Sequence, residues 1–157
     1  MGGERKSHPH ILMLILKIYN MTELIINGKD AFTEWGIRMG DGFLDTLNGY
    51  FPMKEYITNN DRTQDGIQYV GTPKVNERSL TLNFTMEGRD AADFNTKNKA
   101  FVEVMRGGDV SIQVPNDGAD VYHLKYTGKS CTFARNTERT FAKLGFAFIE
   151  PNPTNRT

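Results

Sequence analysis

Glu77-Arg78-Ser79-Leu80-Thr81-Leu82-Asn83-Phe84-Thr85-Met86-Glu87-Gly88 is the stretch on which the fold turns. Leu80, Leu82, Phe84 and Met86 alternate with Ser79, Thr81, Asn83 and Thr85, the period-2 pattern of a strand buried on one face. Gly88 stops the pattern, and the period then changes. Ala91, Phe94, Phe101, Val102 and Met105 recur at helical spacing and leave Asp93, Lys97, Lys99 and Glu103 mainly outside. Asp90 and Asp93 near the start and Arg106 near the end suit the helix dipole, and Gly107-Gly108 end the segment. A strand is thus followed directly by the one helix that the sequence announces.

Downstream the period returns to two. Val110, Ile112 and Val114 alternate up to Pro115, and Asn116-Asp117-Gly118 makes a turn. Tyr122, Leu124 and Tyr126 alternate in a strand expected to continue through Thr132-Phe133 after a kink at Gly128. Leu144, Phe146 and Phe148 form the last strand, closed by Glu150-Pro151-Asn152-Pro153, and residues 154–157 are expected to fray.

Upstream, Leu24-Ile25-Ile26 runs into Asn27-Gly28, a tight-turn signal, and Phe32 to Met39, with Trp35 and Ile37 alternating against Glu34 and Arg38, reads as the returning strand. Residues 40–76 are polar and broken by Gly40-Asp41-Gly42, Asn48-Gly49, Asn59-Asn60-Asp61, Asp65-Gly66 and Pro73. Short β-type runs lie between these signals, at Met53–Thr58 and Ile67–Val70. This segment is expected to be an extended arm or hairpin that orders against a neighbour. Residues 1–20 differ from the rest, with a polar start and the short apolar run Ile11–Leu16. They are too short in apolar length to span a bilayer and carry no small-x-small cleavage site. Met21 is the expected natural start, with residues 1–20 an extension.

Strands, one helix, then strands define a mostly β fold: two packed antiparallel sheets, a sandwich or partial barrel, flanked by one helix. Residues 21–153 are expected to form one domain. In 157 residues there are 19 basic and 19 acidic side chains, so no net field draws the chain to DNA or an anionic membrane. Zero net charge also lowers the barrier to self-association. Cys131 is the single cysteine, which excludes an internal disulfide.

Catalytic and metal motifs are missing from the sequence. It contains no phosphate-binding Gly-x-x-x-x-Gly-Lys-Ser/Thr loop, no His-Glu-x-x-His and no paired cysteines. His8 and His10 flank Pro9 without a third ligand, and Asn59, Asn60, Asp61 and Asp65 lack an acidic closing ligand for calcium. His123 falls on the strand face opposite Tyr122 and Leu124. No enzymatic activity, cofactor or metal is expected. Lys125, Lys129, Arg135 and Arg139 cluster around one hairpin, better suited to an acidic neighbouring subunit than to single-stranded nucleic acid.

Asn27-Gly28-Lys29-Asp30-Ala31 with Trp35-Gly36-Ile37, the stretch Glu77–Phe84 with its Gly-led helix, and the closing Phe141–Pro153 together resemble the tail-tube and distal-tail (Dit-like N-terminal domain) structural proteins of long-tailed phages. The resemblance runs over roughly residues 22–153 in element order. It implies a subunit of a phage or prophage tail that joins edge to edge with copies of itself. Six subunits would line a central channel through which DNA passes, and other tail proteins would be further partners. The resemblance implies assembly in the bacterial host cytoplasm and residence in the virion tail, and it leaves ring, stacked tube and hub open. Phe51, Met53, Tyr56, Ile57, Ile67, Tyr69, Tyr122 and Tyr126 are the expected interface residues. The competing expectation is a monomeric β-sandwich module that binds carbohydrate or another small ligand on a stacking surface of Trp35, Tyr50 and Tyr56.

Overall fold

A computed structural model of the chain describes residues 22–59 and 65–157. Within them the chain runs through β1 (Ile25–Ile26), β2 (Lys29–Asp30), α1 (Ala31–Trp35), β3 (Ile37–Met39), α2 (Phe43–Leu47), β4 (Ile57–Asn59) and β5 (Gln68–Val70). It continues through β6 (Arg78–Glu87), α3 (Ala91–Arg106), β7 (Asp109–Gln113), β8 (Val121–Arg135) and β9 (Phe141–Glu150). The fold is mostly β, as the alternation requires.

Asn27 and Gly28 both take positive φ, 51° and 77°, which matches the tight turn between β1 and β2. The expected returning strand over 32–39 is different: its first part is the helix α1, and only Ile37–Met39 are extended. Asp30 caps this helix by accepting from the Phe32 N–H at 3.2 Å and the Thr33 hydroxyl at 2.9 Å. Ala31 and Trp35, four residues apart, then point together into the core, where Trp35 packs on Phe101 at 5.6 Å between ring centroids. Gly36 ends the helix at φ 65°, and a Cβ there would stand 2.1 Å from the Glu87 carbonyl oxygen. Gly36→Ala is therefore expected to cost about 1–3 kcal/mol in backbone strain alone, read as a lower urea midpoint with the slope unchanged.

Seven strands form one antiparallel ladder in the order β2-β1-β7-β8-β9-β6-β3. β6 pairs with β9 along its whole length, Arg78 with Glu150 through Glu87 with Phe141. β8 links the two halves, pairing first with β7 and later with β9. Between the pairs Tyr126↔Phe148 and Cys131↔Phe146 it advances five residues against two on β9, a bulge at the expected kink around Gly128. The two packed layers expected from the sequence are thus halves of one continuous sheet. Inward side chains from both halves, Ile26, Val110, Ile112 and Leu124 from one and Leu82, Phe84, Met86 and Leu144 from the other, share a single core with α3. Phe84 is at its centre, with Phe43, Phe101, Phe146 and Phe148 around it at 5.1–6.5 Å.

α3 is capped as its sequence implies. Asp90 accepts from the Asp93 N–H at 2.8 Å, and Asp93 accepts from the Arg89 N–H at 2.9 Å. That backbone bond, together with the Lys97 ammonium at 3.1 Å, holds the Asp93 carboxyl below its ordinary range. Residues 43–47 are not part of an arm, because Phe43 and Leu47 are buried in the core on α2. The last four residues do not fray: the Arg156 carbonyl accepts from the Val121 N–H at 2.8 Å, and the Arg156 side chain is ion-paired. The extension 1–20 and Asn60 and Asp61 lie outside the described residues.

Candidate assembly surface

Beyond Gly49 the chain leaves the core. Every described residue from Tyr50 to Gly71 is exposed. The ladder of this arm begins at the Met53↔Val75 bridge, with Lys54 N–H to the Lys74 carbonyl and Asn76 N–H to the Pro52 carbonyl, both at 2.9 Å. It ends in the β4–β5 hairpin, paired from Ile57↔Val70 to Asn59↔Gln68. Alternation along it puts Tyr56, Thr58 and Tyr69 on one face and Ile57 and Val70 on the other. Tyr56 and Tyr69 meet edge to face at 5.0 Å. Ile57 is 69% exposed and Tyr69 63%. A two-stranded hairpin with both faces in water is marginal by itself, and so many exposed apolar residues on one element make it the candidate contact surface.

The root of the arm is rigid for an electrostatic reason. Arg78, the first residue of β6, occupies an inward position and is only 3% exposed. Its Nη1 donates to the carbonyls of Thr46, Leu47 and Gly49 at 3.2, 2.9 and 2.9 Å, all just before the arm. Its Nε donates to Glu150 at 2.9 Å, and Glu150, fully buried, also accepts from Arg156 at 3.0 and 3.1 Å. Both guanidinium groups lie over the Tyr122 ring, at 4.6 Å for Arg156 and 5.9 Å for Arg78. The Tyr122 hydroxyl donates to Asn48 at 2.9 Å, and Asn48 donates to Asp117 at 2.8 Å. One buried cluster thus joins the entry of the arm, its exit and the C-terminal residues. Glu150 is the main reason the Arg156 pKa is raised, and burial raises that of Tyr122.

Tyr122→Phe removes the bond to Asn48 and is expected to cost about 1 kcal/mol. The sign of its pH effect follows from the raised pKa. Stability from the neutral phenol is fully present below the ordinary value of 10.0 and is lost as pH rises through the higher folded value. The wild type should therefore lose stability more steeply than the variant above pH 10, in urea titrations taken across that range.

Of the expected interface residues, Phe51, Met53, Tyr56, Ile57, Ile67 and Tyr69 are exposed on the arm. Tyr122 is not available to a partner: it is 6% exposed inside the ion cluster, because its position in β8 faces the core. Tyr126 is half-buried against Phe146 and Phe148. The alternative stacking surface is also corrected. Trp35 is 5% exposed in the core, so it cannot stack on a ligand with Tyr50 and Tyr56. Sequence reasoning missed Arg78, Glu150, Arg156 and Asn48. The available signal was phase, since Arg78 continues the inward series of Leu80 and Leu82, and Glu150 that of Phe148. Among the described residues no group of three His, Cys, Asp or Glu side chains is placed to hold a metal, and no helix is long and apolar enough to cross a membrane.

An antiparallel sheet sharing one core with α3 and two short helices, with an exposed hairpin beside it, is similar in fold to a phage distal-tail (Dit) protein. The particular likeness is to the crystal structure of the SPP1 Dit protein, described as a paradigm of the hub adsorption apparatus in phages that infect Gram-positive bacteria. The two agree with a TM-score of 0.53 at 16% identity, over 83% of this chain and 50% of the Dit chain. The likeness is one of fold, and this chain spans about half the length of that protein. No protein-family description matches the sequence, and no curated protein matches it.

Proposed function

We propose that this chain is a structural subunit of a phage or prophage tail, which assembles with copies of itself into a ring around a channel for passing DNA. The observation that carries this reading is the arm, an apolar hairpin held out from a Dit-like fold by a buried ion cluster. A mobile loop needs no such root, whereas an arm that must meet a neighbour in one direction does. Joining subunits hides the apolar side chains and extends the marginal hairpin. A contact between two different surfaces closes into a ring when the rotation per subunit divides the circle, and six copies is the number proposed. The assembling unit runs from residue 21 through the C-terminal residues, since Arg156 belongs to the cluster that roots the arm. Other tail proteins stack on the ring, assembly takes place in the host cytoplasm, and the role requires no catalysis, cofactor or membrane.

Light scattering across a concentration series, with negative-stain images of the most concentrated fraction, tests this. Rings or short tubes of constant diameter are expected. A strict monomer at every concentration would overturn self-assembly and return attention to a ligand-binding module.

A further inference from the structure

The arm has exposed apolar residues to bury; a second surface has a gap to fill. From Cys131 to Arg135, β8 pairs with β9 alone, so its other edge has no ladder partner among the described residues. Beside this edge, between the sheet and α3, is a groove with a volume of about 360 Å³. Phe101, Val102, Met105, Tyr126, Phe133 and Phe146 line it. Val102 and Phe133 are half exposed, so the groove is apolar and open. Residues 129–139, which contain this edge, carry Lys129, Arg135 and Arg139 with Glu138 as the one acidic residue. From Glu55 to Val70 the sequence carries Glu55, Asp61 and Asp65 against Arg62, with Lys54 and Lys74 flanking them on the stalk.

We infer that the free edge of β8 and the groove beside it receive the β4–β5 hairpin of a second copy of this chain. The inference rests on the ring reading and assigns the acceptor within it. Three complementarities support that occupant over others. The edge offers backbone N–H and C=O groups to a strand, and the hairpin has strands with open edges. The groove is lined by apolar and aromatic side chains, and Tyr56, Tyr69, Ile57 and Val70 are the exposed side chains at the hairpin. Residues 129–139 carry a net positive charge and residues 55–70 a net negative one, which favours docking in one orientation and steers encounter. Each chain carries one donor and one acceptor on different elements. Head-to-tail contact therefore continues from copy to copy, as a ring needs.

Cys131 supplies the probe, because it is exposed and lies two residues before the groove-lining Phe133 on the same face of β8. Full-length chain carrying Cys131→Ser and either Thr58→Cys or Val70→Cys is mixed with wild type. These two positions lie on different strands and opposite faces of the hairpin. Mild oxidation or a short bis-maleimide is expected to give covalent dimers between the arm cysteine of one copy and Cys131 of the other. Val102→Asp, at a half-exposed position, is expected to abolish the cross-link while the circular dichroism spectrum stays native. Rings in which neither cysteine reaches Cys131, and Cys131 reacts freely with maleimide, would overturn the acceptor and leave the ring reading standing. Rings with Cys131 shielded but not cross-linked would assign the groove to another segment and likewise overturn it. Monomers alone would remove both.

Discussion

Glu150→Ala is expected to destabilise the chain by about 3–5 kcal/mol, as removing one partner of a buried ion pair does. Glu150 is fully buried and is the one carboxylate bonded to both Arg78 and Arg156. Without it two guanidinium groups face each other across a core position, Arg78 with its Nη2 already lacking a partner. Neither can shed its charge by deprotonating, because arginine stays protonated at any ordinary pH. The chain must admit water or expel Arg156, and with it the C-terminal residues that bond to Val121. Such a loss is a large fraction of the roughly 5–15 kcal/mol that holds a domain folded. Replacing all three charges with apolar residues, as Arg78→Met, Glu150→Leu and Arg156→Met, is expected to recover much of the stability, since a buried cluster is worth little against a packed apolar one. It should not recover the root of the arm, because the carbonyls of Thr46, Leu47 and Gly49 would have lost their donor. Urea denaturation of the single and triple variants separates the two effects. A single-variant change under about 1 kcal/mol would mean the cluster is hydrated and not a structural clamp.

The same cluster explains what the sequence could and could not disclose. β6 and α3 are legible because each buries one face over many residues, so alternation at Leu80–Met86 and helical spacing at Phe94–Met105 have room to repeat. α1 and α2 span five residues each, barely more than a turn, and no period can establish itself in that length. Worse, Trp35 and Ile37 mimic strand alternation across a helix-to-strand junction at Gly36. Tertiary burial of Phe43 and Leu47 then decides a segment whose Gly and Asp content reads as loop. The expected arm therefore loses its first part to the core and keeps its second. The ion cluster needs the β6–β9 register before Arg78 and Glu150 can be seen to face each other, and register is a long-range property. The burial of Tyr122 needs no such long-range information, since it shares its phase in β8 with Leu124 and faces the core.

Excising the arm should separate folding from assembly. The Met53↔Val75 bridge brings the two strands of the stalk within ladder distance, so residues 54–74 can be replaced by a short Asn-Gly-containing turn without stretching the chain. No described residue of that span belongs to the buried core, and the clamp at Gly49 and Arg78 lies outside it. The cost of closing a loop varies slowly with length, about 0.6 kcal/mol for each doubling, so the shortened chain should keep its stability within about 1 kcal/mol. Its assembly should disappear, because the exposed Tyr56, Ile57, Tyr69 and Val70 go with the hairpin. The expected result is a soluble monomer with native circular dichroism and an unchanged urea midpoint, under conditions in which the intact chain forms rings. Glu150→Ala acts in the opposite sense, lowering stability first and assembly only as a consequence. Rings that persist without the arm would place the subunit contact on the sheet edges themselves, at β3 or the exposed part of β8, and would make the hairpin an ornament of a ring closed by strand pairing alone.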